Sequence, residues 1–194
     1  MKKCIVILGV LLTAGVVSAQ TTFQFGPKAG VNISNFSGGT GSIESNTLVG
    51  FHVGGFVSFQ LGKSFAIQPE VLFSTQGAKY DDASIKNFKA NYLNIPVLAQ
   101  IRMPGGLYLE TGPQAGILLT AERDNQTVKE LYNSLDWSWA FGLGLRSKMG
   151  LGFSARYNLG LTKVEDNITG TGSFEANGKN SVIQLGLFFA IGSH

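Results

Sequence analysis

Two histidines, His52 and His194, and one cysteine, Cys4, are all the imidazole and thiol in this chain of 194 residues. Zinc sites draw several ligands from His, Cys and carboxylates, and a Ser-His-acid hydrolase holds its histidine between a serine and a carboxylate. His52 lies in "LVGFHVGGFVSFQL", residues 48–61, where no such spacing occurs, and His194 is terminal. Catalysis and a zinc centre are therefore not expected. Asp81 with Asp82, and Glu122 near Asp124, offer carboxylates for calcium, but the EF-hand spacing is absent, and solvated loop charge is the expectation. No catalytic residue, no cofactor-binding residue and no metal ligand is assigned, and no cofactor is expected.

Six other charged residues are more informative: Lys28, Glu70, Arg102, Glu110, Arg146 and Arg156. Each falls on the polar side of a segment with period-two alternation, and in a strand alternate residues face opposite ways. In "YLNIPVLAQIRM", Leu93, Ile95, Val97, Ala99, Ile101 and Met103 share one face, opposite Tyr92, Asn94, Pro96, Leu98, Gln100 and Arg102. In "LGFSARYNLGL", Leu151, Phe153, Ala155, Tyr157, Leu159 and Leu161 oppose Gly152, Ser154, Arg156, Asn158 and Gly160. Long charged side chains among glycines form the pattern of a small barrel's interior, where glycine leaves room for its neighbours. The six are expected to form an ionic cluster that plugs the barrel near its short-turn end, as an internal staple without a transport role. Leu107 is expected opposite Met103 and Glu110 opposite Gln100, which makes Arg102 and Glu110 diagonal neighbours and predicts a salt bridge between them.

The positioning elements are eight strands, near residues 25–35, 48–61, 65–78, 91–103, 107–120, 137–147, 151–161 and 181–191. Tight turns at 62–64, 104–106 and 148–150 alternate with long polar segments at 37–47, 79–90, 121–136 and 162–180. That alternation predicts an all-β, eight-stranded antiparallel up-and-down transmembrane β-barrel, with short turns and both chain ends on the periplasmic side and four long loops outside. A soluble barrel would cover its polar face with Lys and Glu, yet charged residues are 14% of the chain and Gly numbers 26, a poor water-facing composition against about 25% charge in ordinary domains. No apolar run reaches the length of a spanning helix. Trp137 and Trp139, on the apolar face, suit the outer membrane interface. In the third long loop Val128, Leu131, Tyr132 and Leu135 share a helical face, predicting a short helix folded onto the barrel rim.

The N-terminus, "MKKCIVILGVLLTAGVVSAQ", joins Lys2 and Lys3 to an apolar run and Val17-Ser18-Ala19, which reads as a cleavable signal peptide over 1–19 followed by the barrel over 20–194. Cys4 precedes the run, which disfavours lipoprotein processing. Removal of the leader leaves 13 basic and 12 acidic residues and no cysteine. That near-neutral balance argues against nucleic-acid binding, and disulfides are excluded.

"FGPKAGVNISNF", "VGFHVGGFVSFQL", "FAIQPEVLFSTQGAKY", "YLNIPVLAQI", "LYLETGPQAGILL" and "ARYNLGLTKV" together resemble the small outer-membrane β-barrels of Bacteroidetes, a porin family also labelled PorT-like. The resemblance implies a single barrel in the outer membrane of a Gram-negative cell; one member is linked to protein secretion. Gln184, Gly186, Phe189 and Ile191 resemble the C-terminal signal read by the barrel-assembly machinery, although Gly192-Ser193-His194 follow where that signal usually ends the chain with an aromatic residue. The expected partners are outer-membrane lipid, the assembly machinery and an unidentified protein or surface polymer at the loops. The leading functional expectation is a non-enzymatic barrel displaying four extracellular loops. The alternative is a narrow pore or accessory component of a transport or secretion system, and a secreted soluble ligand carrier is a third possibility that the Gly-rich polar face speaks against.

Overall fold

A computed structural model describes residues 22–39, 45–80, 88–123, 126–127, 135–162 and 176–192. Eight long strands dominate: β1 (Thr22–Gly39), β2 (Ser45–Gln60), β3 (Phe65–Tyr80), β4 (Phe88–Arg102), β5 (Leu107–Arg123), β6 (Leu135–Arg146), β7 (Leu151–Gly160) and β8 (Ala176–Phe189). Each pairs antiparallel with its chain neighbour, and β8 pairs back onto β1, so no edge is left open. A two-residue piece, Gln126–Thr127, pairs with the end of β5, and Ile191–Gly192 pairs with β1 at Phe25 and Gln24. The signal peptide and most of the expected loop helix, Val128, Leu131 and Tyr132, lie outside the described residues, as do Asp81, Asp82 and Asp124; Leu135 opens β6.

The register fixes the size of the barrel. Following paired residues from Phe23 through Phe59, Ile67, Ala99, Thr111, Phe141, Tyr157 and Ile183 leads back to β1 at Ile33, ten residues beyond the start. A stagger of this size over eight strands tilts them by about 40° and leaves a lumen that side chains can fill.

Three short turns join β2 to β3, β4 to β5 and β6 to β7. Each is closed by the same backbone bond, from Leu61 N to Phe65 O (2.7 Å), Met103 N to Leu107 O (2.8 Å) and Ser147 N to Leu151 O (2.8 Å). Gly62, Gly105, Gly106 and Gly150 hold φ between 84° and 90° in these turns, a region that costs other residues strain. On the long-loop side the ladders run past the expected ends, with β1 reaching Gly39, β3 Tyr80 and β5 Arg123. Beyond the apolar belt the outward side chains no longer meet lipid, so pairing continues without the hydropathy pattern that reveals it.

The faces divide by parity, and the polarity is inverted relative to a water-soluble domain. Among the described residues, 20 polar or charged side chains are buried against 14 apolar ones, while Val49, Phe51, Val71, Ile101, Leu109, Phe141, Leu143 and Leu187 are among the large apolar groups left exposed. Polar groups inside and a continuous apolar exterior match a spanning barrel, whose hydrophobic contacts are completed by acyl chains.

Candidate functional site

The lumen is the only place where this fold gathers chemistry-bearing side chains among the described residues, and it is built in layers. At the short-turn mouth, Arg102 donates from Nη2 to Ser58 Oγ (2.7 Å) and Gln100 Oε1 (3.1 Å) and from Nη1 to Gln60 Oε1 (3.0 Å). Arg146 donates to Gln24 Oε1, which Arg102 also approaches at 3.5 Å.

Above these lies an aromatic layer. Phe188 meets Phe56 edge-on with centroids 5.6 Å apart and Tyr108 at 6.2 Å. Glycines directly opposite on the neighbouring strands make the room, since a Cβ on Gly144 would overlap the Tyr108 ring and one on Gly152 the Phe188 ring. Replacing Gly152 by valine is expected to cost about 1–3 kcal/mol through overpacking. Urea unfolding of the refolded protein checks this, and a companion Phe188→Ala change should recover part of the loss.

The ionic layer comes next. Arg156 on β7 reaches across the lumen to Glu70 on β3, four strands away, with Nη1 to Oε2 at 3.0 Å and Nη2 to Oε1 at 2.9 Å. The same guanidinium holds Glu110 on β5, from Nε to Oε1 at 2.9 Å. Lys28 on β1 adds a bond to Glu70 at 3.2 Å. Neutral donors complete the carboxylates, Gln68 on Glu70 (2.9 Å) and Gln100 on Glu110 (3.1 Å). All four charged side chains are buried, which is tolerable because each charge faces an opposite one and hydrogen bonds fill the rest.

Toward the long-loop end the lumen side chains are mostly neutral, with the Asp136 carboxylate at the upper edge accepting from Thr162 Oγ1. Asn32 Oδ1 accepts from Gln184 Nε2 (3.2 Å) and lies 2.8 Å from His52 Nδ1. An oxygen in that position places the imidazole proton on Nδ1. Further up, Gln114 Nε2 donates to Ser138 Oγ (3.1 Å). Among the described residues Asn94 Nδ2, Gln114 Oε1 and both amide atoms of Asn158 have no protein partner, and they line a cavity of about 10 Å³, the space of about one water molecule. Water both donates and accepts, which suits this mix of two donors and two acceptors.

The six sequence-selected charges therefore fall into two groups. Lys28, Glu70, Glu110 and Arg156 interlock at mid-lumen, while Arg102 and Arg146 sit at the mouth. Gln100 does pair with Glu110 across the turn, and Met103 bonds Leu107. The expected bridge between Arg102 and Glu110 is replaced, however: Glu110 is engaged by Arg156, and Arg102 turns toward Ser58 and Gln60. The aromatic layer went unselected, although Phe56, Tyr108 and Phe188 are large rings on the polar parity of their strands and parity alone could have marked them.

Trp137 and Trp139 both face outward. The Trp139 indole N–H donates to Thr111 Oγ1 at 2.9 Å, so it has a partner within the barrel wall. In β8, Gln184 and Gly186 point inward and Phe189 outward, and Ile191 is also exposed. None of the described residues forms a group of three or more His, Cys, Asp or Glu that could hold a metal ion.

Solved structures of the same architecture are similar to this chain. Ail, the attachment invasion locus protein of Yersinia pestis, crystallised with the heparin analogue sucrose octasulfate, aligns with TM-score 0.55 and 12% identity over 87% of this chain and 99% of its own. Neisserial surface protein A gives 0.55 and 11% over 86% and 96%. OprG of Pseudomonas aeruginosa gives 0.51 and 10% over 91% and 100%. At these identities the likeness is one of fold. No curated protein matches the sequence. The family described as outer membrane protein beta-barrel domain matches residues 18–166, more than half of the chain. The chain belongs to the outer membrane protein beta-barrel domain family.

Proposed function

We propose that this outer-membrane barrel is a closed scaffold that presents its four long loops to a partner outside the cell. The observation that carries the reading is the Arg156 clasp, which spans the lumen from β7 to β3 and β5 above a layer of three aromatic rings. A lumen crossed at two levels does not offer free passage to solutes, whereas loops on a rigid wall are the usual place for recognition. The protein is not an enzyme in this reading, and nucleic acid is not a partner. Residues 1–19 direct export and are cleaved, the final strand engages the barrel-assembly machinery, and lipid covers the wall. The barrel's kin in this reading are the PorT-like barrels of Bacteroidetes.

The charge of the loop side narrows the partner. Outside the lumen and the short-turn end, the mature sequence carries nine carboxylates and seven basic residues. A neutral or cationic protein or surface polymer fits this face better than a sulfated one such as the ligand of Ail.

Planar bilayers test the closed state. The purified full chain should give no stable conductance steps, and Arg156→Ala should give flickering ones. Stable open channels from the unaltered protein would replace this reading with that of a narrow pore.

A further inference from the structure

The short-turn mouth carries chemistry that a plugged scaffold does not require. Lys63, Arg102, Arg146 and Lys148 all lie at this end, and among the described residues no carboxylate side chain accompanies them. Glu70 and Glu110 are buried above and held by Arg156, and the other described acids, Glu122 and Asp136, lie at the long-loop ends of β5 and β6. Arg102 and Arg146 approach the same neutral oxygen, Gln24 Oε1. Two guanidiniums converging on an amide oxygen place like charges side by side with no counter-charge between them. Among the described residues the bond to Gln24 is the one Arg146 makes, which leaves most of its five N–H donors for another acceptor.

These groups border a cavity of about 170 Å³, lined by Lys63, Arg102 and Arg146 together with Gln60, Gln68 and Gln100. Tyr108 and Phe188 close it on the lumen side, so it is a cup open to the periplasm. Guanidinium forks match the planar and tetrahedral oxygens of carboxylate and phosphate, and glutamine amides supply further donors.

We propose that this mouth is a binding site for a phosphate-type oxyanion, taken either from solution or from a lipid headgroup at the inner rim of the membrane. It stands apart from the loop face and does not depend on it. The anion balances charge on Arg102, Arg146 and Lys63 that no described carboxylate side chain offsets.

Calorimetric titration of the full chain, refolded in a non-ionic maltoside detergent free of phosphate, tests the proposal. One arm adds inorganic phosphate; the other adds short-chain phosphatidylglycerol to the micelles. Phosphate should bind with an affinity that weakens as salt rises. Arg146→Gln should weaken binding by about tenfold or more, the effect of one charge-assisted contact. Lys63 is exposed, so Lys63→Gln should keep the fold, judged by heat-shifted gel mobility, and weaken binding severalfold; it decides the matter if Arg146→Gln does not refold. Binding in the phosphatidylglycerol arm alone, with the same dependence on these residues, keeps the site and assigns its ligand to the lipid headgroup. Absence of binding in both arms, or binding that both substitutions leave unchanged, overturns the proposal.

Discussion

Arg156→Met lowers the free energy of unfolding by about 3–5 kcal/mol, the cost of leaving buried charge without its partner. Arg156 holds two carboxylates at once. Its loss strands Glu110 with only Gln100 and leaves Glu70 to Lys28 and Gln68. Urea unfolding of the refolded protein in detergent or bilayers reads the change. Removing all four charges together, as Lys28→Met, Glu70→Gln, Glu110→Gln and Arg156→Met, should restore most of the stability, because a neutral interior has no charge to compensate. If Arg156→Met costs less than about 1 kcal/mol, the range of an exposed ion pair, the clasp is solvated and the lumen is not sealed at this height.

Leu143→Arg tests the opposite face and should cost about 2–4 kcal/mol in a phosphatidylcholine bilayer, the range for arginine near the midplane of a barrel wall. Leu143 lies on the outward face of β6 and is exposed. A water-facing leucine exchanged for arginine would move stability by only about 0.5 kcal/mol either way. The two environments thus predict clearly different results from one variant. Met149→Arg, in the turn between β6 and β7 and also exposed, is the control and should be close to neutral. Equal small effects at Leu143 and Met149 would contradict a lipid-facing wall.

What was legible in the sequence follows the range of the interactions. Strand faces were legible because they rest on period-two alternation within one segment, as in Leu93 to Met103 against Asn94 to Arg102. Hairpin registers were legible because a tight turn fixes which residues oppose each other, so Gln100 and Glu110 fall together. The partner of Glu110 was not legible. Arg156 reaches it over Gly142 of β6, which lies opposite both residues, but the register between β5 and β6 is set across a long loop, and 46 residues separate the two. Glu70 is 86 residues from Arg156 and on the far wall. No local rule states how far the barrel's closure brings opposite walls together. The strand ends at the long loops were hidden for a different reason, since pairing there proceeds without an apolar face.

The return from Phe23 to Ile33 around the eight strands has a consequence for how the ring can close. Inward and outward residues alternate, so a slip of one residue where β8 meets β1 would set lumen-facing groups against lipid-facing ones. Only slips by even numbers preserve both faces. The circumference is therefore quantised, and neighbouring sizes differ by a discrete step rather than a continuous strain. One step narrower leaves no room for the rings of Phe56, Tyr108 and Phe188; one step wider draws Arg156 away from Glu70. The lumen contents act as a gauge that admits one circumference, so a substitution inside the barrel can change which ring closes as well as how firmly it holds.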